Sequence, residues 1–133
     1  MDEGQVMYEG KRSVDFFTKG DQNVLKLQDP QTLNFISGGW GRGECMAPVP
    51  ENWNRTWHHV AGVCDGSMLK LYVDGELMQE YKISGDIGHT PFLWNIGRNE
   101  QCPKGRKTNG FLDEARIYYE ALSQDKIRKA MIR

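Results

Sequence analysis

The stretch WHHVAGVCDGSMLKLYVDGELMQEYKI, residues 57–83, decides the predicted fold of this 133-residue chain. It contains three strand-like segments, HHVAGVC, MLKLYV and LMQEYKI, which are separated by turns that contain Asp-Gly. Asp-Gly supports the positive φ values that short hairpin turns need. Leu69, Leu71 and Val73 share one face of the middle segment, and Tyr72 points away from them. The stretch therefore predicts a three-stranded antiparallel meander with one face toward a core and Tyr72 at the surface.

The alternation of turns and strand-like segments continues on both sides of the meander. VDFF, VLKLQ and TLNFIS precede it, and PFLWNIG at 91–97 and GFLDEARIYY at 110–119 follow it. Closely spaced turn signals with short strands between them are typical of an antiparallel sandwich or barrel. After these segments the pattern becomes helical, since Ser123 can cap QDKIRKAMIR and Ile127 begins an apolar stripe. The sequence predicts an all-β antiparallel sandwich, a jelly roll, with a short C-terminal helix.

Size and charge limit the classes of function. At 133 residues the chain is expected to form one domain, residues 1–133. Its formal net charge of −1 gives no basic excess for nucleic acid, and no apolar run is long enough for membrane insertion. The N-terminus lacks the apolar segment of a signal peptide, so an exported form is expected to be a mature fragment or a module of a larger protein.

Three stretches together resemble the laminin-G-like, concanavalin A-like jelly rolls. WHHVAGVCDGSMLKLYVDGELMQE is similar to that family's Trp-x-His-Val-Ala strand and the Leu-Tyr-Val-Asp-Gly hairpin after it. FLWNIGRN is similar to the next strand, which ends in Ile-Gly. GFLDEARIYYEALSQDKI is similar to the closing signature Gly-x-Leu-Asp-Glu-x-Arg-x-Tyr, which Ala-Leu-Ser and a short helix follow. The resemblance covers roughly residues 53–128.

The resemblance implies a non-catalytic module that binds a polysaccharide or oligosaccharide. Such a module belongs to an extracellular carbohydrate-active protein or a cell-surface protein. Three alternatives stay open, because sandwich folds host many functions. Laminin-G-like domains also bind proteins, a module of this kind can be a spacer without a ligand, and related glucanases are hydrolases.

One departure from the family concerns the N-terminus, which looks several dozen residues short. Similar domains carry further strands before the segment that corresponds to VMYEG. A trimmed sandwich leaves sheet edges open, and open edges invite pairing with another chain. A homodimer or an exchange of strands between copies is therefore a second expectation about partners.

The adjacent histidines, His58 and His59, pose the question of catalysis or metal binding. Successive side chains of an extended strand point to opposite faces, so the two imidazoles are not expected to grip one metal. The family pattern has a histidine at the position of His59, within a structural strand. We therefore interpret both as strand residues, and His89 has no partner that the sequence identifies.

Signatures of hydrolysis are missing from the sequence. Glycoside hydrolases use two carboxyl groups at a suitable separation. Asp113 and Glu114 are adjacent, so in a strand they face opposite ways, and the Glu-x-Asp-x-x-Glu arrangement of the related glucanases does not occur. GGWGRGE at 38–44 lacks the Lys-Ser/Thr of a phosphate loop and is interpreted as a flexible loop. The chain is predicted not to be an enzyme.

Calcium is the one cofactor that the resemblance suggests, because many similar domains hold a structural calcium near the rim. Asp113 is the candidate ligand. Calcium takes six to eight oxygen ligands, and the sequence identifies no others. The alternative for Asp113 is a carboxylate that bonds backbone amides and ties the last strand to a loop.

The strand directions of the meander place the loops 38–56 and 98–109 at the same end of the sandwich. Long loops gathered at one end of a rigid scaffold commonly carry binding. Indole rings suit the C–H faces of a sugar, and planar polar groups suit its hydroxyls. Trp57 and Trp94 lie in predicted strands and are expected in the core instead. The predicted ligand-binding residues are Trp40, Arg42, Glu44, Trp53, Arg98, Asn99 and Glu100.

The three cysteines allow at most one disulfide within the chain. Cys45 and Cys102 fall in the two loops at the same end, so we expect a disulfide between them that stiffens the site. Cys64 ends a strand toward the other end and is expected to stay free. Such a bridge fits an extracellular location.

Overall fold

The computed structural model describes residues 6–8, 11–39, 43–83, 88, 90–101, 106–108, 110–118 and 120–132, with only the backbone of 6–8 and 11–13. Within this part of the chain there are nine strands and one helix. The elements are β1 (Val6–Tyr8), β2 (Lys11–Lys19), β3 (Asn23–Asp29), β4 (Thr32–Ser37), β5 (Cys45–Pro48), β6 (Val60–Cys64), β7 (Met68–Val73), β8 (Glu76–Lys82), β9 (Trp94–Ile96) and α1 (Gln124–Ala130).

The strands form two antiparallel sheets. The larger sheet has the order β1-β2-β3-β4-β5, and β9 also pairs with β2. The smaller sheet has the order β6-β7-β8, which is the meander predicted from the Asp-Gly turns. Its strands confirm that these turns reverse the chain. The predicted all-β antiparallel sandwich with a short C-terminal helix is confirmed.

A row of apolar side chains crosses the inner face of the larger sheet. Val14 pairs with Leu27, Leu27 with Leu33, and Leu33 with Ala47, so the four residues stand side by side on four adjacent strands. All four are buried, Leu33 completely. Removal of this apolar area from water is the main term that favours folding of the sheet.

The inner face of the smaller sheet supplies the opposite half of the core. Leu69, Leu71 and Val73 are buried on β7, which confirms their predicted face. The sheets meet chiefly where β4 and β5 pack against β7 and where β5 packs against β8. On β6, Gly62 leaves room for the ring of Phe35, because a Cβ at this position would overlap that ring.

Tyr72 is buried, so the prediction of a surface tyrosine is wrong. The pairing of β7 with β8 shifts register between Leu71 and Tyr72. The extra residue of this shift is Met78 on β8, so β7 keeps its alternation. Leu69, Leu71 and Val73 belong to the core cluster, and Tyr72 is buried on the opposite face of β7. Alternation shows which residues share a face, but it does not show whether the other face is covered.

Two further predictions about strands are wrong. The predicted loop 38–56 contains β5, whose residues Cys45 and Ala47 face the core while the alternate residues are exposed. Conversely, residues 110–118, predicted as a strand, lie outside every strand and are exposed. The Glu114 amide donates to the Asp113 carboxylate at 2.9 Å, and the Arg116 side chain donates to the Glu114 carboxylate and to the carbonyl of Ala130. Without a neighbouring ladder, the strand pattern of this segment does not become a strand.

The C-terminal helix α1 forms as predicted. Ser123 caps its N-terminus, because its hydroxyl accepts a hydrogen bond from the Lys126 amide at 3.3 Å. Ile127 is buried, and the Gln124 side chain donates to the carbonyl of Gly75 at 2.9 Å. These contacts fix the helix to the turn between β7 and β8. Within the described residues, no helix is long and apolar enough to cross a membrane.

Cys45 is a free and completely buried cysteine, so the predicted Cys45–Cys102 disulfide is wrong. Its position on β5 points the thiol between the sheets, where Sγ lies 3.3 Å from the carbonyl oxygen of Gln79. Cys102 lies outside the described residues. Cys64 is free, as predicted. The expectation of a homodimer or strand exchange stays a prediction.

Cys45 is expected to resist alkylation in the folded protein. Burial raises the pKa of its thiol to about 11, so little reactive thiolate exists at neutral pH. Treatment with iodoacetamide at pH 8, followed by peptide mass mapping, should label the half-buried Cys64 well before Cys45. Denaturant should make the two rates similar. Equal labelling of both cysteines in the native protein would contradict the buried position of Cys45.

Candidate functional site

An open cleft lies beside the region where the two sheets pack together. Its volume is about 1460 Å³. One wall is the inner face of β2 and β3, a second is the segment 53–59 with β6, and a third is the segment 110–118. We call this space the aromatic cleft, because its lining includes the side chains Phe16, Phe17, Phe35, Trp53, Trp57, Trp94, Phe111 and Tyr118.

Two tryptophans of the aromatic cleft are exposed, so their predicted place in the core is wrong. Trp57 is 64% exposed and Trp94 is 44% exposed. Trp94 lies on the short β9 at the side of β2, where its ring meets Phe17 edge to face at 5.2 Å between centroids. Trp57 precedes the edge strand β6. Both positions lie away from the part of the larger sheet on which β7 and β8 pack.

Trp53 also lines the aromatic cleft, but it is half-buried and packed on both sides. Its ring stacks on the imidazole of His58, with centroids 5.0 Å apart and planes at 19°. It also meets Phe16 at 6.4 Å and 43°. Trp53 therefore packs within the wall of the cleft and stabilises it. It is the one described member of the predicted ligand set that lines this space.

His58 is held at both ring nitrogens. Nδ1 lies 2.7 Å from Oδ2 of Asp74, and Nε2 lies 3.0 Å from the carbonyl oxygen of Asn52. Burial lowers the pKa of His58, but the hydrogen bonds to Asp74 and Asn52 outweigh burial, so the pKa is raised above its ordinary value. The imidazole thus connects the β7–β8 turn to the segment that carries Trp53.

His59 differs from its neighbour. Its backbone amide donates to Oδ1 of Asp74 at 2.9 Å, while its ring nitrogen Nδ1 is buried without a hydrogen-bond partner. Burial lowers the pKa of His59, and the nearby Arg116 lowers it further. Both histidines precede β6, which begins at Val60, so their predicted place within the strand is wrong by one or two residues.

The third wall carries the acidic residues that the sequence singled out. Glu114 forms an ion pair with Arg116, with Oε2 and a guanidinium nitrogen 2.6 Å apart, and both side chains are about half exposed. Among the described residues, no group of three or more His, Cys, Asp or Glu side chains comes together to hold a metal. A calcium ion at Asp113 therefore stays a prediction. His89 lies outside the described residues.

The predicted loop site does not assemble as a single surface among the described residues. Trp40 and Arg42 lie outside them. The Glu44 carboxylate accepts a hydrogen bond from the Asn34 amide at 3.0 Å, on the outer face of the larger sheet. The carbonyl of Arg98 accepts from the hydroxyl of Thr18 at 2.6 Å, and its side chain is exposed.

Glu100 and Asn99 both have structural partners. The Glu100 carboxylate accepts from the backbone amide of Leu93 and so holds the start of β9. Asn99 is completely buried, and its side chain donates to the Asp21 carboxylate at 2.9 Å and to the carbonyl of Gly20 at 3.1 Å. Asn99 is therefore enclosed by protein, where a glycan does not reach it.

Asn99 belongs to a buried ionic cluster on the outer face of the larger sheet. Arg106 lies 3.3 Å from the Asp15 carboxylate and 2.8 Å from that of Asp21. Asp15 pairs with Lys26 across β2 and β3, and both are buried. Burial raises the pKa of Asp15 more than Arg106 and Lys26 lower it, and burial also lowers the pKa of Lys26. The mixed charges make the cluster a poor site for a cation.

Replacement of Arg106 by Met should destabilise the fold by about 3–5 kcal/mol, because the buried Asp15 carboxylate loses its ion pair. The control is Arg116→Met, which breaks a half-exposed ion pair and should change stability far less. Urea unfolding measures both. Adding Asp15→Asn to Arg106→Met should recover part of the loss. Equal effects of the two single variants would contradict a structural role for the cluster.

The sequence comparison shows the family. The family described as the concanavalin A-like lectin/glucanases superfamily, of laminin-G type, matches residues 7–128. This chain belongs to that family. Comparison with curated proteins gives no match.

A solved structure with a similar fold is an S-layer domain-containing protein, residues 221–444, from Clostridium thermocellum ATCC 27405. The two chains share 21% sequence identity, and the TM-score is 0.49. The match covers 97% of this chain and 61% of the solved chain, so this chain spans about three fifths of that structure.

Proposed function

We propose that the chain binds an oligosaccharide or polysaccharide in the aromatic cleft without cleaving it, as a module of an extracellular or cell-surface protein. One observation carries the proposal: Trp57 and Trp94 expose large parts of their indole rings on a cleft that also contains polar side chains. The two rings stand in one cleft with other exposed aromatic side chains, and a contiguous apolar patch of this kind commonly marks a binding site.

The chemistry of a sugar suits this lining. A pyranose presents C–H faces that stack on indole rings, and its hydroxyls need hydrogen-bond donors and acceptors. Polar groups that line the same cleft are Asn54, Arg55, Asp113, Glu114 and Arg116. Ligand pockets commonly combine aromatic walls with a few polar groups that fix orientation. Membership of a superfamily described as lectins and glucanases supports a carbohydrate ligand.

The state of the carboxylates supports binding without hydrolysis. Glycosidases use two carboxyl groups that flank the scissile bond, separated by about 5 Å or more. In the cleft, Asp74 pairs with His58 and Glu114 pairs with Arg116. Asp113 and Glu114 are neighbours in sequence on an exposed segment. Release of reducing sugar from a polysaccharide would overturn the non-catalytic part of the proposal.

A protein ligand is the second candidate, because the segment 110–118 and the residue just before β9 also expose apolar side chains. Phe111 is 88% exposed, Leu93 is 71% exposed, and Ile117 is about half exposed. Apolar patches of this kind also mark protein interfaces. The two candidates differ in a simple test, since free sugar competes with a glycan ligand and leaves an apolar protein interface unaffected.

Glycan binding by Trp57 and Trp94 is tested by a panel of immobilised polysaccharides, with and without calcium, followed by calorimetry on the strongest ligand. Trp57→Ala and Trp94→Ala should each weaken binding by up to about tenfold, since an aromatic contact contributes about 0.5–1.5 kcal/mol. Trp57→Phe should retain part of the affinity. The control is Met46→Ala, because Met46 is exposed on β5 and alternates with the core-facing Cys45 and Ala47.

Three outcomes separate the candidates. Selective binding that both tryptophan variants weaken and Met46→Ala leaves unchanged supports the proposal. Binding that neither variant affects places the ligand elsewhere and overturns the assigned site. A folded protein that binds no glycan on the panel contradicts the proposed function and favours a protein ligand.

A further inference from the structure

We propose that His58 is a positioning residue for the aromatic cleft, and that ligand affinity falls when its imidazolium loses a proton. The inference rests on the proposed function, since it concerns the regulation of the same site. It arises from the contacts of one side chain, which joins the β7–β8 turn to the wall that carries Trp53 and Trp57.

Both ring nitrogens of His58 face hydrogen-bond acceptors. One is the Asp74 carboxylate at 2.7 Å and the other is the Asn52 carbonyl at 3.0 Å. A carboxylate and a carbonyl can only accept, so both bonds require an N–H on each ring nitrogen. A neutral imidazole carries one N–H, whereas the imidazolium carries two. The geometry therefore fits the protonated ring.

Asp74 is placed for this contact by the Asp-Gly turn. Its backbone has a φ of 52°, which is left-handed, and its amide donates to the carbonyl of His59 at 2.8 Å. One carboxylate oxygen accepts from the His59 amide while the other faces the His58 ring. Both oxygens are thus used to hold the chain at residues 58 and 59. Neither contact depends on a ligand.

The protonated ring in turn holds the wall of the cleft. It stacks on Trp53, and a cation over an indole face is attracted by the ring's electrons. Its bond to the Asn52 carbonyl fixes the segment just before Trp53. Trp57 immediately precedes His58 in the chain. The segment 52–57 is therefore held at both of its ends by one imidazolium.

Loss of the proton removes one of the two bonds. A ring nitrogen with a lone pair then faces an oxygen lone pair at about 3 Å, and that contact changes from attractive to repulsive. The segment 52–57 is released at Asn52 or at the β7–β8 turn, and Trp57 loses a fixed orientation. Ligand binding must then restore this order, which lowers affinity.

The other charged groups near the His58 ring have partners of their own or are exposed. Asp74 is the carboxylate that contacts the imidazole. Arg128 of α1 donates to the Glu76 carboxylate and to the carbonyl of Gly75. Arg116 of the segment 110–118 acts on His59, whose pKa it lowers. On the segment 52–57 itself, Arg55 is exposed.

The direction of the pH effect follows from the raised pKa of His58. Burial lowers this pKa, but the hydrogen bonds to Asp74 and Asn52 raise it by more than burial lowers it. The folded ring therefore holds its proton more tightly than the unfolded ring, whose ordinary pKa is 6.5. The contribution of the imidazolium is complete below pH 6.5 and is lost as pH rises through the folded pKa. Affinity should therefore be higher in mild acid than in mild base.

The experiment measures affinity for the best glycan of the panel from pH 5.5 to 9, together with the NMR titration of the His58 ring protons. Affinity should fall roughly three- to tenfold along the His58 titration, as expected for the net loss of one ordinary hydrogen bond. His58→Gln should bind weakly and without this pH dependence. The matched control is His59→Gln, which should keep the pH profile of the natural protein.

Asp74→Asn provides a second variant in case His58→Gln does not fold. The amide removes the negative charge beside the ring, so the pKa of His58 should fall and the affinity profile should move to lower pH with it. An affinity that stays constant while His58 titrates would overturn the inference and leave the proposed glycan binding intact.

A protein that binds no glycan at any pH would contradict the proposed function. The positioning role of His58 is then tested without ligand. The indole Nε1–H signal of Trp57 should broaden or shift along the His58 titration. A signal that does not follow His58 would overturn the positioning role.

Discussion

Unequal width of the two sheets is the constraint on which the structure depends. A three-stranded sheet packs chiefly on β4 and β5 of the larger sheet, and the buried Leu33, Leu69 and Leu71 fill the contact. The inner face of β2 therefore continues past the edge of the smaller sheet. That uncovered face, with Phe16 and Phe17, becomes one wall of the aromatic cleft. Within the described residues, the cleft thus follows from strand number, because three strands do not cover the width of five.

Different interactions fix the two faces of β2. The inner face is apolar and joins the core, whereas the outer face carries Asp15 within the ionic cluster with Arg106. The carbonyl of Arg106 also accepts from the Asp15 amide at 2.8 Å, and the hydroxyl of Thr108 donates to the Asp15 carbonyl at 2.6 Å. The chain that leaves β9 is thereby fastened along β2. This attachment keeps β9, and with it Trp94, beside the cleft.

Local signals in the sequence predicted local structure well. The Asp-Gly turns predicted β6, β7 and β8, and Ser123 predicted the start of α1. The sequence did not predict features that depend on pairing between distant strands. Tyr72 is buried although it lies on the face of β7 opposite the core cluster, and Trp57 and Trp94 are exposed although they fall in predicted strands. Alternation shows which residues share a face, but it does not show whether another sheet covers that face. For the same reason the sequence places the ligand candidates in loops, while the proposed site lies on the uncovered sheet.

The most direct measurement is a two-dimensional NMR titration of the four tryptophan indole N–H groups with a bound oligosaccharide. Each indole gives a separate signal, so the spectrum reports which rings a ligand reaches. If the aromatic cleft is the binding site, the signals of Trp57 and Trp94 should shift most and with the same apparent Kd. A saturable shift confined to Trp40 would contradict the account and return the site to the loop that the sequence first suggested.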